Sequence, residues 1–571
     1  MKKWILGASC AAMIAACGVV TTGEAETNKT GKTSSAPVAD LSVTDSSATD
    51  VTDATVGATS FARDNAWYTD GEAKLSGADA ALRQSLAGSG KAKNVILFVG
   101  DGMGVATVSA ARILDGQNKG GSGEENILSF ETMPFTGLSK TYNVDAQTPD
   151  SAGTATALMS GVKTDIGVVG VDESIINGEC KGTDAATVIS ALELAEIAGM
   201  ATGVVSTARI THATPASTYA HSASRGWEDT SDMPNKAKAE GCVDIASQLT
   251  GFEAALEARY PGVDVDGIEV AMGGGRRHFL PKDASFNTKD ADGKVEGDRD
   301  DDRDLTAEWQ AAYTGGQYVI DQAGFDALDV NGGPILGLFS ESHMRYEANR
   351  GEDELGEPSL AQMTSKAIEK LSTNDKGFFL MVEAGRIDHA HHAGNAAGAL
   401  NDTVALSEAV DAALSSVNLD ETLIIVTADH SHVMTFAGYP KRGNPILGKV
   451  VGVGEDEPTK AADGYPYTTL GYMNGGGYVD MGKNTDSDKA YYTTREPGRK
   501  DLTDIDTTAP GYHQEALVPR SSETHGGEDV PIYAIGPGSH LASGVHEQNV
   551  IFHIMNRSAR LTEKAEDARG E

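Results

Sequence analysis

Four short apolar runs in this chain each end at a residue able to ligate a metal ion or hold an anion, and this constrains the fold more than any other feature. Asn94-Val-Ile-Leu-Phe-Val-Gly ends at Asp101, and Gly203-Val-Val-Ser-Thr leads into Thr211-His212-Ala-Thr214. Gly377-Phe-Phe-Leu-Met-Val ends at Glu383, and Thr422-Leu-Ile-Ile-Val-Thr-Ala ends at Asp429-His430. Continuous apolar runs of this length read as strands buried on both faces. The amphipathic stretches between them predict βα units and a mostly parallel sheet. One strand ending in Asp would be ordinary turn chemistry. Four such ends point to a shared site, because open parallel sheets bind ligands at the carboxyl ends of their strands. Independent surface turns are the alternative reading.

Other residues suit the same site. Asp388 and His392, spaced i, i+4, share one face of a helical turn. His525, in Glu523-Thr-His-Gly-Gly, precedes another apolar run, Val530-Pro-Ile-Tyr-Ala-Ile. Mixed carboxylate and imidazole sets suit Zn²⁺, whereas an all-oxygen set suits Mg²⁺. Ser151 opens a helical run of small residues in Pro149-Asp-Ser-Ala-Gly-Thr-Ala-Thr-Ala. The free N–H groups of a helix start favour anions there. Such a serine could act as an alkoxide beside a metal or carry a phosphoryl group. Asp-Ser before a helix is also an ordinary N-cap pattern.

The N-terminus predicts export. Lys2 and Lys3 precede an apolar stretch from Trp4 to Ala16 that is too short to span a bilayer as a mature helix. Ile14-Ala15-Ala16-Cys17 resembles a bacterial lipobox, so residues 1–16 read as a lipoprotein signal peptide and Cys17 as the acylated anchor. Signal cleavage nearby with an incidental Cys17 is the alternative. Gly18 after it lacks the usual inner-membrane retention signal, leaving an exported lipoprotein on the periplasmic or cell-surface face of the outer membrane as the expected location. Residues 17–60 carry no aromatic side chain and read as a flexible tether. A formal charge of −37 argues against nucleic acid or an anionic bilayer as partner. It also means that an anionic substrate needs a local cationic site. Of four cysteines, Cys10 falls in the leader and Cys17 is the expected anchor, leaving Cys180 and Cys242 as a pair able to bridge in an exported protein.

Five motifs occur in order: Gly100-Asp-Gly-Met-Gly, Pro149-Asp-Ser-Ala-Gly-Thr-Ala, Val382-Glu-Ala-Gly-Arg-Ile-Asp-His-Ala-His-His, Thr427-Ala-Asp-His-Ser-His and Glu523-Thr-His-Gly-Gly-Glu-Asp. Together they resemble the alkaline phosphatases, the vertebrate branch more than the enterobacterial one, from about Lys91 to Met555. The resemblance implies an α/β fold of three αβα layers over residues 61–562, with a small crown-like insert at about 438–519. It implies hydrolysis of small-molecule phosphate monoesters through a phosphoserine, two Zn²⁺ and one Mg²⁺ as cofactors, and a homodimer. Asp388, His392 and His525 match the ligands of the first zinc. Asp429 and His430 match those of the second, with Asp101 bridging towards the magnesium, whose other protein ligands match Thr214 and Glu383. Ser151 matches the nucleophile and Arg225 the arginine that grips the phosphate. Cys180 and Cys242 fall where vertebrate-type relatives place a disulfide.

The resemblance also frames the remaining residues. His212 and His389 stand where the enterobacterial enzymes carry Asp and Lys. They read as a group behind the magnesium ligands and as a phosphate or water contact, respectively, with a merely packed or solvated histidine as the alternative for each. His391 and His432 have no ligand role in this reading. Vertebrate relatives hold a further calcium ion, but Ser340 in Leu338-Phe339-Ser340-Glu341 replaces a glutamate that it needs, so no fourth metal is expected. The acidic segment 286–304 reads as a surface loop. A sulfatase would need Pro and Arg after its nucleophile, which Ser151-Ala-Gly-Thr lacks. A nucleotide diesterase would use threonine and lack Arg225 and the magnesium set. An inactive binding protein should have lost one of these groups, and none is missing.

Overall fold

The sequence alternation is realised as a ten-stranded sheet. A computed structural model describes residues 77–570 except 79, 292, 483–485, 496 and 497. The expected signal peptide, Cys17 and the tether lie outside the described residues. The main strands are β1 (Asn94–Gly100), β2 (Phe135–Lys140), β3 (Ala201–Arg209), β4 (Val270–Gly274), β5 (Gln317–Val319), β6 (Ile335–Leu338), β7 (Phe378–Ala384), β8 (Thr422–Thr427), β9 (Val530–Ile535) and β10 (Gly544–Glu547). They lie in the order β10-β2-β9-β8-β1-β7-β3-β4-β6-β5. Strands from β8 to β5 in that order run parallel, while β9 is antiparallel to both β8 and β2.

Strand periodicity divides the core. Val95, Leu97 and Val99 of β1 join Phe379, Met381, Leu423 and Ile425 on one face. Ile96 and Phe98 join Leu380, Val382, Ile424 and Val426 on the other. Successive side chains of a strand point to opposite faces, so an uninterrupted apolar run fills two helical layers at once. Helices Ala191–Ile197 and Val550–Ala559 cover the first face through Leu192, Leu194, Ile551 and Met555. Helices Leu360–Leu371 and Ala396–Ser416 cover the second through Met363, Ile368, Leu400 and Val410. The fold is therefore a three-layer α/β sandwich with a mostly parallel central sheet. Each fully buried Val, Leu or Ile here contributes roughly 1.5–3 kcal/mol relative to exposure.

Between His430 and His525 the chain forms a separate three-stranded sheet of Met434–Phe436, Leu470–Gly475 and Ala516–Pro519, and pairs Val479–Asp480 with Tyr512–His513. Cys180 and Cys242 are bridged, with Cα atoms 5.9 Å apart. The bridge packs beside Val168, Val171, Trp227 and Met233, outside the two main apolar clusters. Among the described residues no helix is long and apolar enough to cross a membrane.

The segment 286–304 differs from its expected character as a solvated loop. Glu296 and Arg299 are fully buried. Arg276 Nη2 donates to Asp290 at 2.6 Å and its Nε to Glu296 at 2.5 Å. Arg299 Nη1 donates to Asp244 at 2.9 Å. Paired guanidinium and carboxylate groups tolerate burial that neither would tolerate alone, so an acidic composition concealed an internal ion-pair cluster.

Candidate functional site

Four adjacent strands, β8, β1, β7 and β3, deliver the ligand-type residues read from the sequence. Asp101 follows β1, Glu383 lies at the end of β7, and Asp429-His430 follows β8. His212 and Thr214 follow β3, with Thr214 in the short helix Ala213–Ala216. All except His212 are buried to within 1% exposure, so the strand ends share an interior site rather than separate turns. Gly102, in the turn after β1, takes a positive φ of 69°. Its amide donates to Asp429 Oδ1 at 3.1 Å. A side chain there would collide with the ring of His432 as well as strain the backbone.

Ser151 is the first residue of helix Ser151–Ser160, capped by Asp150, whose side chain accepts from Gly153 N. The helix cap is supplied by Asp150, and Ser151 faces the site. Ser151 Oγ lies 3.1 Å from His430 Nε2. The same nitrogen is 3.3 Å from Asp101 Oδ1 and 3.4 Å from Asp429 Oδ2. Arg225 reaches the site from the loop after β3. Its Nη1 donates to Asp150 Oδ2 at 3.1 Å and its Nη2 to His212 Nε2 at 3.2 Å.

The helix Arg386–His392 brings Asp388 and His392 to the same place. Asp388 Oδ1 is 3.3 Å from His392 Nε2, 3.4 Å from His525 Nε2 and 2.7 Å from His432 Nε2. His392 Nδ1 donates to Glu523 O and His525 Nδ1 to Pro149 O, both at 2.8 Å, which turns their Nε2 atoms towards Asp388. Of four groups among the described residues with ligand atoms mutually within 4.8 Å, three lie here: Asp388 with His392, His432 and His525; Asp101 with His212 and Glu383; and Asp101 with Asp388 and His430. Asp429 stands outside these groups but beside His430. Thr214 Oγ1 is 3.5 Å from Asp101 Oδ2.

The electrostatics are those of a cation site. Burial, reinforced by the neighbouring carboxylates, raises Asp101 well above the usual carboxylate range and raises Asp429. Glu383 is pushed up to about 7, chiefly by burial. Burial would also raise Asp388, but His392, His432 and His525 hold it well below the usual range. Burial holds His430 well below, and His392 below, the usual histidine range, which keeps them in the neutral form that ligates metals. Asp101 Oδ1, Glu383 Oε1 and His212 Nδ1 are buried without a hydrogen-bond partner. The two orphaned carboxylate oxygens fit a bound cation.

Several contributors were invisible in the sequence reading. Glu523 was only part of a motif, yet its Oε2 lies 2.5 Å from His432 Nδ1. His343 was not singled out, but its ring is 4.0 Å from that of His389 and 5.4 Å from that of His212. His389 Nδ1 accepts from Arg386 Nη1 at 2.9 Å. His391 bonds Tyr472 at 2.8 Å and Thr107 at 3.0 Å, and so packs behind the site. Apart from Arg386 and His389, three residues apart on one helix, no spacing rule links these partners, which are joined only by the fold.

The family model described as alkaline phosphatase matches residues 92–561. The tissue-nonspecific alkaline phosphatase isozyme of Felis catus is 42% identical over 483 residues, covering 84% of this chain and 86% of the relative. That of Homo sapiens is 42% identical over 472 residues, covering 82% and 84%. Among solved structures, alkaline phosphatase from Thermus thermophilus superposes with a TM-score of 0.57 at 24% identity, covering 86% of this chain and 97% of that one. The enzyme of the Antarctic bacterium TAB5 gives 0.53 at 24% identity, covering 82% and 99%.

Proposed function

The chain belongs to the alkaline phosphatase family, hydrolases of phosphate monoesters, and from that premise we propose that it acts through a phosphoserine on Ser151 at a site for two Zn²⁺ and one Mg²⁺. The observation that carries this reading is the position of Ser151 Oγ. It sits at a helix N-terminus, 3.1 Å from His430 Nε2, with Asp101 and Asp429 closing on the same nitrogen.

Asp388, His392 and His525 would hold the first zinc, and Asp429 and His430 the second. Asp101 would be shared towards the magnesium, with Thr214 and Glu383. The unpartnered Asp101 Oδ1 and Glu383 Oε1 support that assignment. His212 Nδ1, unpartnered beside them, carries the ring proton because Nε2 accepts from Arg225, and would donate to a water near the magnesium. When bound, such ions stabilise charge on the attacking and departing oxygens and acidify a water.

The chain's own groups account for the rest of the cycle. Ser151 Oγ forms the new P–O bond as the alcohol oxygen leaves on the opposite side. The N–H groups of the helix start face the charge that develops on phosphorus oxygens. Arg225 takes two equatorial oxygens with its planar fork. Asp150 and His212 each hold one terminal nitrogen of that fork, leaving each nitrogen a second N–H for phosphate. His389 offers its remaining ring nitrogen to a phosphate oxygen or a water. Water then cleaves the phosphoserine, releasing inorganic phosphate.

The remaining features complete the proposal. The lipobox supports a lipid anchor at Cys17 and an outer-membrane location, residues 17–60 a tether, residues 61–562 the enzyme domain, and the family a homodimer. Rapid acid quenching during turnover, followed by mass spectrometry, tests the mechanism. Phosphate on the Ser151 peptide is expected, and phosphate on another residue overturns it.

A further inference from the structure

A cavity of about 260 Å³ has His343 in its wall, next to His389 of the candidate site. His343, His389 and His212 pack ring against ring towards Arg225.

Three guanidinium groups, from Arg277, Arg345 and Arg386, line this cavity. The Nε of each is buried and makes no hydrogen bond. Arg386 is only 3% exposed and is fixed from three sides. It stacks on Tyr346 at 3.7 Å, donates to Asp488 at 2.8 Å and donates to His389 at 2.9 Å. The carboxylates nearest the other two, Asp298 at 3.7 Å from Arg277 Nε and Asp353 at 3.6 Å from Arg345 Nε, are beyond hydrogen-bond range. Most of the acidic lining already has a partner. Asp290 pairs with Arg276, Asp488 with Arg386 and Tyr346, and Asp486 with Lys489. Glu341 also lines the wall and has its own partner. Asn349 Oδ1 is a further buried atom without a partner. A chain of formal charge −37 thus gathers three arginines with unused N–H donors in one cavity beside its phosphate site. Buried donors left unpaired cost free energy unless a ligand meets them, and guanidinium groups match oxyanions in geometry and charge.

We propose that this cavity is a second anion subsite, taking a tetrahedral oxyanion. The source is either a second phosphate carried on the leaving group or a free phosphate or sulfate ion. The proposal rests on the phosphatase reading of the Ser151 site, and p-nitrophenyl phosphate separates the two. That substrate has no second anion, so its turnover tests the catalytic site alone.

The test compares the wild-type enzyme with the Arg277→Met, Arg345→Met double variant. Propane-1,3-diol bisphosphate and propyl phosphate serve as paired substrates. A substrate-borne anion predicts a wild-type kcat/KM preference of about tenfold or more for the bisphosphate, as one charge-assisted contact would give. The preference falls to near parity in the variant, with p-nitrophenyl phosphate turnover unchanged. A free anion predicts that sulfate alters wild-type kcat for p-nitrophenyl phosphate, and that only competitive inhibition survives in the variant. A variant matching wild type in both substrate preference and sulfate response overturns the proposal. Should the variant fail to fold, equilibrium dialysis of radiolabelled sulfate against wild-type protein decides. Two ions per chain are expected, and one overturns the proposal. Absence of p-nitrophenyl phosphate hydrolysis by wild type would instead sink the underlying phosphatase reading.

Discussion

His432 is held between two carboxylates, with Nε2 2.7 Å from Asp388 Oδ1 and Nδ1 2.5 Å from Glu523 Oε2. Both ring nitrogens therefore donate. Burial alone would lower its pKa, but Glu523 and Asp388 push it up to about 10. A buried imidazolium thus orients Asp388 and offsets part of the negative charge around it.

Replacing His432 with alanine leaves Asp388 and Glu523 buried without their shared partner. Zinc affinity should fall by about 10–100-fold, the usual effect of losing a group that positions a metal ligand. Competition with a chelator measures this, and saturating Zn²⁺ should restore most of the activity. An unchanged affinity would show that His432 is mere packing.

Arg225→Ala should lower kcat/KM for p-nitrophenyl phosphate by about 10²–10³, with weaker inhibition by inorganic phosphate. Arg225→Lys should recover only a small part of this loss. A lysine cannot meet Asp150, His212 and two phosphate oxygens at once.

The Cys180–Cys242 bridge closes a separation of 62 residues around a small apolar cluster that includes Trp227, two residues from Arg225. Loop-closure entropy gives about 4 kcal/mol for such a loop. The double Cys→Ser variant should melt earlier and show a raised KM before any loss of metal. Calorimetry and substrate kinetics on the same preparation would check both.

Stability should decline as pH rises towards about 8 for a definable reason. Glu269 is raised to about 8, chiefly by burial, and Glu196 beside it is raised well above the usual range, again chiefly by burial. A carboxyl whose folded pKa exceeds its unfolded value contributes stability that is complete below the unfolded value, near ~4.3, and is lost as pH rises through the folded one. Glu269→Gln keeps an acceptor for Thr202 N, which lies 2.6 Å from Glu269 Oε2. Its Tm advantage over wild type should therefore widen as pH rises from ~4.3 towards about 8 and level off beyond. A gap that stays constant with pH would contradict this assignment.

Much of this was legible in sequence because strands buried on both faces announce themselves as continuous apolar runs. Their ends at Asp101, Glu383 and Asp429 then converge by the geometry of a parallel sheet. The i, i+4 pair of Asp388 and His392 was equally local. Glu523 against His432, Asp150 against Arg225 and His343 against His389 were not legible, since each joins residues far apart in the chain. The buried Arg276 and Arg299 pairs were hidden for a different reason. Charge composition suggests solvent, and only the fold reveals that each acid has a guanidinium partner.

Hydrolysis of p-nitrophenyl phosphate by the purified protein, from neutral to alkaline pH and with and without chelator, tests the central claim most directly. The account predicts activity that rises towards alkaline pH, is abolished by chelation, returns fully only with Zn²⁺ and Mg²⁺ together, and disappears in Ser151→Ala. Undiminished turnover by Ser151→Ala, or by thoroughly chelated enzyme, would contradict it.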